Sequence, residues 1–142
     1  MYSIEEIEGI GKTYGQKLRN QHIATTDELL EIGSTKKGRQ QIAESTGMPE
    51  SLILTWVNHA DLFRIKGIAG QFAELLEAAG VDTVKDFATR NAENLAVKLA
   101  ETNEKLGVSG RVPSVDSLAE MIAQAKTMEQ KVIKELSTPE LI

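Results

Sequence analysis

Two glycine-rich turns contain the residues of this sequence whose spacing is most typical of a binding site. Residues 7–11 read Ile-Glu-Gly-Ile-Gly, and residues 65–70 read Ile-Lys-Gly-Ile-Ala-Gly. Glycine adopts positive φ without steric cost, so each turn can reverse tightly around an isoleucine. The next backbone amides lie at a helix start, where unpaired N–H groups and the helix dipole favour an anion such as phosphate. The pattern predicts either a phosphate contact or a purely structural turn.

Positive charge lies beside the first turn and is sparse at the second. Lys12 follows the first turn directly, and Lys17 lies further along the same predicted helix. At the second turn Gly70 occupies the place of Lys12, and Lys66 lies before Gly67. We therefore expect any phosphate contact to be stronger at the first turn than at the second.

The concentrated basic run of the chain comprises Lys36, Lys37 and Arg39. It could extend a phosphate track from the first turn, because each neutralised phosphate adds affinity through counterion release. The run also fits a solvated first helical turn. Across 142 residues the formal charge is -5, from 21 acidic and 16 basic residues, and neither half of the chain is basic. This balance excludes a nucleic-acid binder that depends on net charge alone.

Catalytic and metal-binding motifs are not found. Neither His22 nor His59 has a second metal-binding side chain at helical spacing. His22 fits the C-terminal end of a helix, where a histidine interacts favourably with the helix dipole. The segment Gly9–Thr13 ends in Gly-Lys-Thr as a P-loop does, but the first glycine of the P-loop motif is missing. Trp56 lies at helical spacing among apolar residues, so we expect it in the core rather than as a base-stacking platform. The absence of cysteine excludes thiolate metal sites, and because no catalytic motif is found either, we expect neither an enzyme nor a bound metal or cofactor.

The two turns belong to an internal repeat. Ile4–Leu30 aligns without gaps over Leu62–Ala88 at a constant offset of 58 residues (65 minus 7). The alignment predicts a duplication, with a first repeat at residues 1–60, a second at 61–128, and a helix extension and tail at 129–142. No Gly, Pro or Ser linker separates the repeats, so we expect one packed unit. The identical pairs are Ile7 with Ile65, Gly9 with Gly67, Ile10 with Ile68, Leu18 with Leu76 and Thr25 with Thr83.

Helices must position these turns, because the sequence contains no alternating β-branched run that would predict a strand. Capping boxes are predicted at Thr25 with Glu28 and at Thr83 with Asp86. Asn91 and Ser114 are further N-caps, and four glycines fall where helices should end in the left-handed conformation. Those glycines are Gly33, Gly47, Gly80 and Gly107. Helices are predicted at about 3–8, 12–21, 26–32, 35–46, 50–65, 70–79, 84–89, 92–106 and 115–136.

The last predicted helix carries an apolar stripe that offers a second kind of surface. Its part from Met128 to Leu136 is expected to extend past the domain and to contact a protein partner or a second copy of the chain. The N-terminus resembles no secretory signal, and no apolar run is long enough to span a bilayer. We therefore expect a cytoplasmic protein without membrane contact.

The repeated pattern resembles the helix-hairpin-helix motif. It reads apolar-x-Gly-Ile-Gly-x-x-x-small-x-x-Leu, followed by Ile-x-Thr-x-x-Asp/Glu-Leu. In DNA repair and recombination proteins, two such motifs commonly form a pseudo-two-fold domain that grips the DNA backbone without reading its sequence. About residues 3–128 resemble a bacterial family of tandem helix-hairpin-helix proteins, domain of unknown function 4332. The resemblance implies phosphate-facing positions at Gly9, Gly11 and Lys12, and at Gly67, Ala69 and Gly70.

These observations together predict the fold class and two candidate functions. The expected fold is all-α, similar to SAM and helix-hairpin-helix domains, with two repeats packed as one compact unit and a long C-terminal helix. The first function is non-catalytic binding, with weak, sequence-independent contact to DNA or RNA phosphates through the turns. The alternative is a protein-interaction or scaffolding module that has lost DNA affinity, since helix-hairpin-helix units also serve in protein contacts.

Overall fold

The computed structural model describes residues 2–68, 70–107 and 110–134. Over these ranges the chain is all-helical, which confirms the fold class predicted from the sequence. A short 3₁₀ helix at Ile4–Glu6 precedes eight α-helices. None of the described helices is long and apolar enough to cross a membrane. The α-helices are α1 (Lys12–Arg19), α2 (Thr26–Gly33), α3 (Lys36–Thr46), α4 (Glu50–Leu62), α5 (Gly70–Ala78), α6 (Val84–Ala88), α7 (Ala92–Leu106) and α8 (Val115–Lys126).

Close contacts divide the chain into two compact units. Unit 1 contains the residues up to Asp61 together with the segment that begins at Lys131, and unit 2 is Leu62–Gln130. Each unit buries its own set of apolar side chains. In unit 1 these include Ile4, Ile7, Ile10, Leu18, Ile23, Leu29, Ile42, Ile53, Trp56 and Val57. In unit 2 they include Ile65, Ile68, Phe72, Leu75, Leu76, Val81, Phe87, Leu99, Leu118 and Ile122.

Side-chain caps fix where most helices begin. The Thr25 hydroxyl accepts from the Glu28 amide at 3.1 Å and the Glu28 carboxylate accepts from the Thr25 amide at 3.0 Å, which confirms the predicted capping box at α2. A further hydrogen bond from the Ala24 amide helps to hold the pKa of Glu28 below its ordinary value. At α6, Thr83 accepts from the Asp86 amide at 3.3 Å. Three other helices are capped in the same way, α3 by Thr35, α7 by Asn91 and α8 by Ser114.

Left-handed residues end three of the predicted helices. Gly47, Gly80 and Gly107 have φ of 74°, 91° and 61°, as the sequence predicts. The same prediction for Gly33 is wrong, because Gly33 is the last helical residue of α2. A Cβ at this position would lie only 2.5 Å from Cγ2 of Val57, so close packing against α4 is what requires glycine there.

The last described helix is shorter than the sequence predicts. α8 ends at Lys126, and residues 127–134 are not helical, so the predicted long C-terminal helix is wrong for them. The amide and hydroxyl of Thr127 both donate to the carbonyl of Gln124 and close the helix. Further on, the Ile133 amide donates to the carbonyl of Ser34 at 2.8 Å. The backbone is therefore paired with unit 1 rather than with the preceding helical turn.

An ion pair links the 3₁₀ helix to α1. Arg19 donates from Nε and Nη2 to the carboxylate of Glu5 at 2.9 and 2.6 Å. This pairing lowers the pKa of Glu5 and raises the pKa of Arg19. Gly15 leaves room for the pair, because a Cβ on Gly15 would lie 2.6 Å from Oε2 of Glu5.

The connection between α2 and α3 is tight at Gly38. A Cβ on this residue would overlap the carbonyl oxygen of Ile32 near the end of α2. The Gly38 amide also donates to the capping hydroxyl of Thr35 at 3.1 Å. The two helices can therefore approach this closely only if residue 38 has no side chain.

We expect Gly38→Ala to lower the free energy of unfolding by about 1–3 kcal/mol, because an atom forced into a packed contact displaces the backbone. Where a helical glycine has open space around it, the same change would instead raise the free energy of unfolding by roughly 0.5–1 kcal/mol. The sign of the change therefore shows whether the close contact at Gly38 exists. Urea unfolding followed by circular dichroism measures it. Gly110→Ala is the control, since its Cβ would meet nothing within 4 Å. Equal or greater stability of Gly38→Ala would contradict the close approach.

The Glu5–Arg19 pair predicts an acid-sensitive contribution to stability. Because the folded pKa of Glu5 is lowered, this contribution is complete above the unfolded value of about 4.3 and is lost as pH falls through the folded pKa. Both side chains are exposed, so this contribution is small. Thermal unfolding of Glu5→Gln should therefore depend less on pH than that of the wild type on acidification. Glu6→Gln, in the same 3₁₀ helix, should follow the wild type, and parallel curves for all three proteins would refute the prediction.

Candidate nucleic-acid interface

The first turn points its isoleucines inward and its glycines outward. Ile7 and Ile10 are buried, and the Ile10 amide donates to the carbonyl of Ile7 at 3.1 Å. Gly9 lies between them with φ of 93°, a left-handed conformation in which a side chain would be strained. Gly9 and Gly11 are both exposed. The turn thus presents backbone rather than side chains to solvent.

The second turn has the same backbone path, 58 positions later. Ile65 and Ile68 are buried, and the Ile68 amide donates to the carbonyl of Ile65 at 3.1 Å. Gly67 has φ of 98°, within a few degrees of Gly9. Ala69 lies outside the described residues, and Gly70 begins α5.

The start of α1 differs from those of α2, α3, α6, α7 and α8 because no side chain caps it. Gly11 is its N-cap, with an extended backbone and no side-chain hydrogen bond. A Cβ on Gly11 would meet nothing within 4 Å, so the space in front of the first turn is open. The first amides of an α-helix have no partner within the helix. At α2, α3, α6, α7 and α8 a cap side chain accepts from one of them, whereas at α1 all of them are available to a ligand or to water.

Two of the predicted cations accompany this open helix start. Lys12 is the first residue of α1 and Lys17 lies on the same helix, and both are exposed. Arg19 is on the same helix but is held by Glu5. The charge available beside the first turn therefore comes from Lys12 and Lys17.

The basic run at the start of α3 is split by the fold. Lys37 is exposed and Lys36 is half-buried, but Arg39 is only 1% exposed. The Arg39 guanidinium donates to the carbonyls of Gly33 at 2.9 Å, Ile133 at 2.8 Å and Lys134 at 3.0 Å. Arg39 is therefore not a solvent-facing member of the predicted phosphate track in this structure, because its donors are already used inside unit 1.

The second turn is less open than the first. Lys66 is exposed, but its backbone amide donates to Oε1 of Gln124 in α8 at 2.9 Å. A Cβ on Gly67 would lie 2.9 Å from Cε of Met121, also in α8. Beside Gly67 a cavity of about 470 Å³ is lined mainly by residues 111–117, Phe72 and Met121. Side chains of α8 thus cover part of the surface that corresponds to the open first turn.

The aromatic and histidine residues add no exposed binding group of the predicted kinds. Trp56 is 2% exposed, which confirms that it belongs to the core. Tyr14 packs on it with ring centroids 5.3 Å apart. His59 is buried, whereas His22 is exposed after α1 with φ of 64°. Within the described ranges, no three His, Asp or Glu side chains form a group that could hold a metal ion.

Sequence reasoning missed the internal role of Arg39, although one signal for it exists. Ile42 and Thr46 follow Arg39 at spacings of three and seven, which places all three on one face of α3. All three are buried. The Glu5–Arg19 pair joins residues 14 apart in sequence, for which no local pattern exists.

Comparison with known proteins places these features in a family. A family model described as a domain of unknown function (DUF4332) matches residues 8–128. No curated protein and no solved structure matches the chain. The matched region contains α1 to α8 and both glycine turns. As the sequence resemblance predicted, the chain belongs to the DUF4332 family.

Proposed function

We propose that this protein is a non-catalytic binding or adaptor protein that contacts nucleic-acid phosphates weakly and without sequence specificity. The contact is made by the first turn and the start of α1. The observation that carries the proposal is the uncapped start of α1 at Gly11, where open space, unpaired amides and the exposed Lys12 coincide. Such a site binds an anion through backbone groups and needs little net positive charge.

The proposal includes the interpretation of the chain as two helix-hairpin-helix repeats. Beyond Gly9 and Gly67, the offset of 58 also relates left-handed residues after the next helix, His22 with φ of 64° and Gly80 with φ of 91°. Matching hydrogen bonds follow them. The amide of Ile23 donates to the carbonyl of Leu18 at 3.0 Å, and that of Val81 to Leu76 at 2.8 Å. Two segments with the same turns and bonds in the same order support a duplicated motif.

The two turns would contribute unequally to binding. The helix after the second turn begins with Gly70, where the helix after the first turn begins with a lysine. Two side chains of α8 also lie against the second turn, Gln124 at Lys66 and Met121 at Gly67. We therefore propose contact with a single phosphate track at the first turn, rather than a symmetric grip on both strands of a duplex. The family resemblance favours a bacterial setting, and we propose a cytoplasmic location, with which the absence of cysteine is compatible.

The alternative function is a protein-interaction or scaffolding module on the same fold. Val97 and Leu106 on α7 are more than half exposed, which favours it. These two residues are nine positions apart and so face opposite sides of the helix, and scattered apolar residues are common on protein surfaces. A salt titration of DNA binding separates the two functions, because a scaffold that has lost DNA affinity would show no salt-dependent binding.

We expect Lys12→Glu to weaken binding to a mixed-sequence DNA duplex by roughly tenfold at low salt, because a cation at a phosphate becomes an anion. Fluorescence anisotropy across a salt series measures this, and the salt dependence should also become shallower. Lys98→Glu, an equal charge change on the exposed surface of α7, is the matched control. If wild type shows no DNA binding at low salt, or if both variants lose affinity equally, the proposed site is wrong.

Gly11→Ser should move stability and DNA binding in opposite directions. A serine at the N-cap would place a hydroxyl on the free amides of α1, which stabilises a helix by a few tenths of a kcal/mol or more relative to glycine. The same hydroxyl would take the donors that a phosphate needs, so DNA affinity should fall several-fold. Urea unfolding and anisotropy on one preparation test both effects. Unchanged DNA affinity in a stably folded Gly11→Ser would mean that the turn is only structural.

A further inference from the structure

Arg39 is the most unusual charged residue in the described part of the chain. Its side chain is almost fully buried, yet its three hydrogen bonds all go to backbone carbonyl oxygens, those of Gly33, Ile133 and Lys134. Carbonyl oxygens orient a guanidinium but do not neutralise it. Burial lowers the pKa of Arg39, which Glu50 only partly opposes. Arginine remains ionised in proteins, so the positive charge is buried without a directly bonded anion.

Two of these three carbonyls belong to the segment that returns to unit 1. We call residues 131–134 the C-terminal clasp. Val132 is 3% exposed and the Ile133 amide donates to the Ser34 carbonyl at 2.8 Å, whereas the Ile133 side chain is 41% exposed. The contacts that hold the clasp thus include one buried apolar side chain, the backbone hydrogen bond to Ser34 and the two hydrogen bonds from Arg39.

The clasp can open without unfolding unit 1. It is not part of a helix, and segments with few buried side chains open locally at a lower free energy than the fold as a whole. When it opens, Arg39 loses two of its three acceptors and gains access to solvent. Lys36 lies three positions before Arg39 at the start of α3 and therefore on the same face of the helix, whereas Lys37 lies two positions before it and does not face it. The exposed guanidinium would then form a two-cation group with Lys36.

We propose that the C-terminal clasp is an autoinhibitory element that covers a latent phosphate-binding group made of Arg39 and Lys36. Release of the clasp lets a nucleic-acid phosphate replace the carbonyls of Ile133 and Lys134 on Arg39. A phosphate is the better partner, because charge-assisted, bidentate bonds to guanidinium are stronger than bonds to neutral carbonyls. The inference rests on the proposed function and adds its regulation.

A substitution in the clasp of the full-length chain tests this regulation. Val132→Asp puts a charge into the buried position and should release the clasp, whereas Ile133→Asp adds the same charge at the exposed neighbour and should not. Fluorescence anisotropy with a mixed-sequence DNA duplex at low salt should show roughly tenfold tighter binding for Val132→Asp than for Ile133→Asp. Adding Arg39→Gln to Val132→Asp should abolish the gain, and Arg39→Lys should retain part of it.

A spin label reports the clasp independently of DNA. The chain has no cysteine, so Ile133→Cys gives a single labelling position whose side chain already faces solvent. Electron paramagnetic resonance should show an ordered label in the otherwise native chain and a mobile one after Val132→Asp. Adding DNA to the otherwise native labelled chain should raise the mobile fraction.

The outcomes separate the clasp from the phosphate site that it is proposed to regulate. If wild type binds DNA and Val132→Asp mobilises the label without tightening binding, the regulation is wrong and the first-turn site stands. A gain in affinity that survives Arg39→Gln also overturns the regulation. If neither wild type nor the released variant binds DNA at low salt, the proposed function fails and the regulation with it. Circular dichroism on each variant verifies that the helices are intact.

Discussion

The left-handed glycine between two buried isoleucines is the constraint on which the rest of unit 1 depends. With Ile7 and Ile10 both inside, the chain between them must reverse within three residues, and the φ of 93° at Gly9 makes this reversal. A residue with a Cβ would strain the turn and displace one isoleucine. The same geometry directs the backbone after Ile10 outward, so the uncapped amides of α1 reach solvent. Core packing and the proposed anion site therefore have one local cause.

The two turns share this constraint and differ in what surrounds them. Beside the first turn, the Glu5 carboxylate lies over Gly15 and reaches Arg19, so these two opposite charges pair with each other. Beside the second, α8 supplies a methionine and a glutamine that lie against the turn. Two turns with similar backbone geometry and different neighbours give one open surface and one that is partly covered. This difference supports the proposed single phosphate track more strongly than the absence of one lysine alone.

What the sequence predicts correctly is local, and what it misses depends on distant partners. Helix starts at Thr25 and Thr83 follow from hydroxyl and carboxylate spacing, and the helix ends at Gly47 and Gly107 follow from glycine alone. The predicted extension of α8 is wrong, because an apolar pattern indicates which residues are buried and not which part of the molecule covers them. Val132 is buried as the pattern indicates, but at the α2–α3 connection and not on a helix. The glycine at position 33 also depends on a distant partner, because the Val57 side chain leaves no room there for a Cβ.

The burial of Arg39 changes how many basic residues are available to contact a phosphate. A sequence with charge -5 already argues against binding driven by net charge, and the fold removes two arginines from the available set. Arg19 is neutralised by a carboxylate, whereas Arg39 is covered by carbonyls. These are physically different losses, because a phosphate must compete with the Glu5 carboxylate for Arg19 but only with neutral carbonyls for Arg39. Under the proposed regulation, the number of cations that unit 1 offers a nucleic acid therefore depends on the position of the C-terminal clasp as well as on composition.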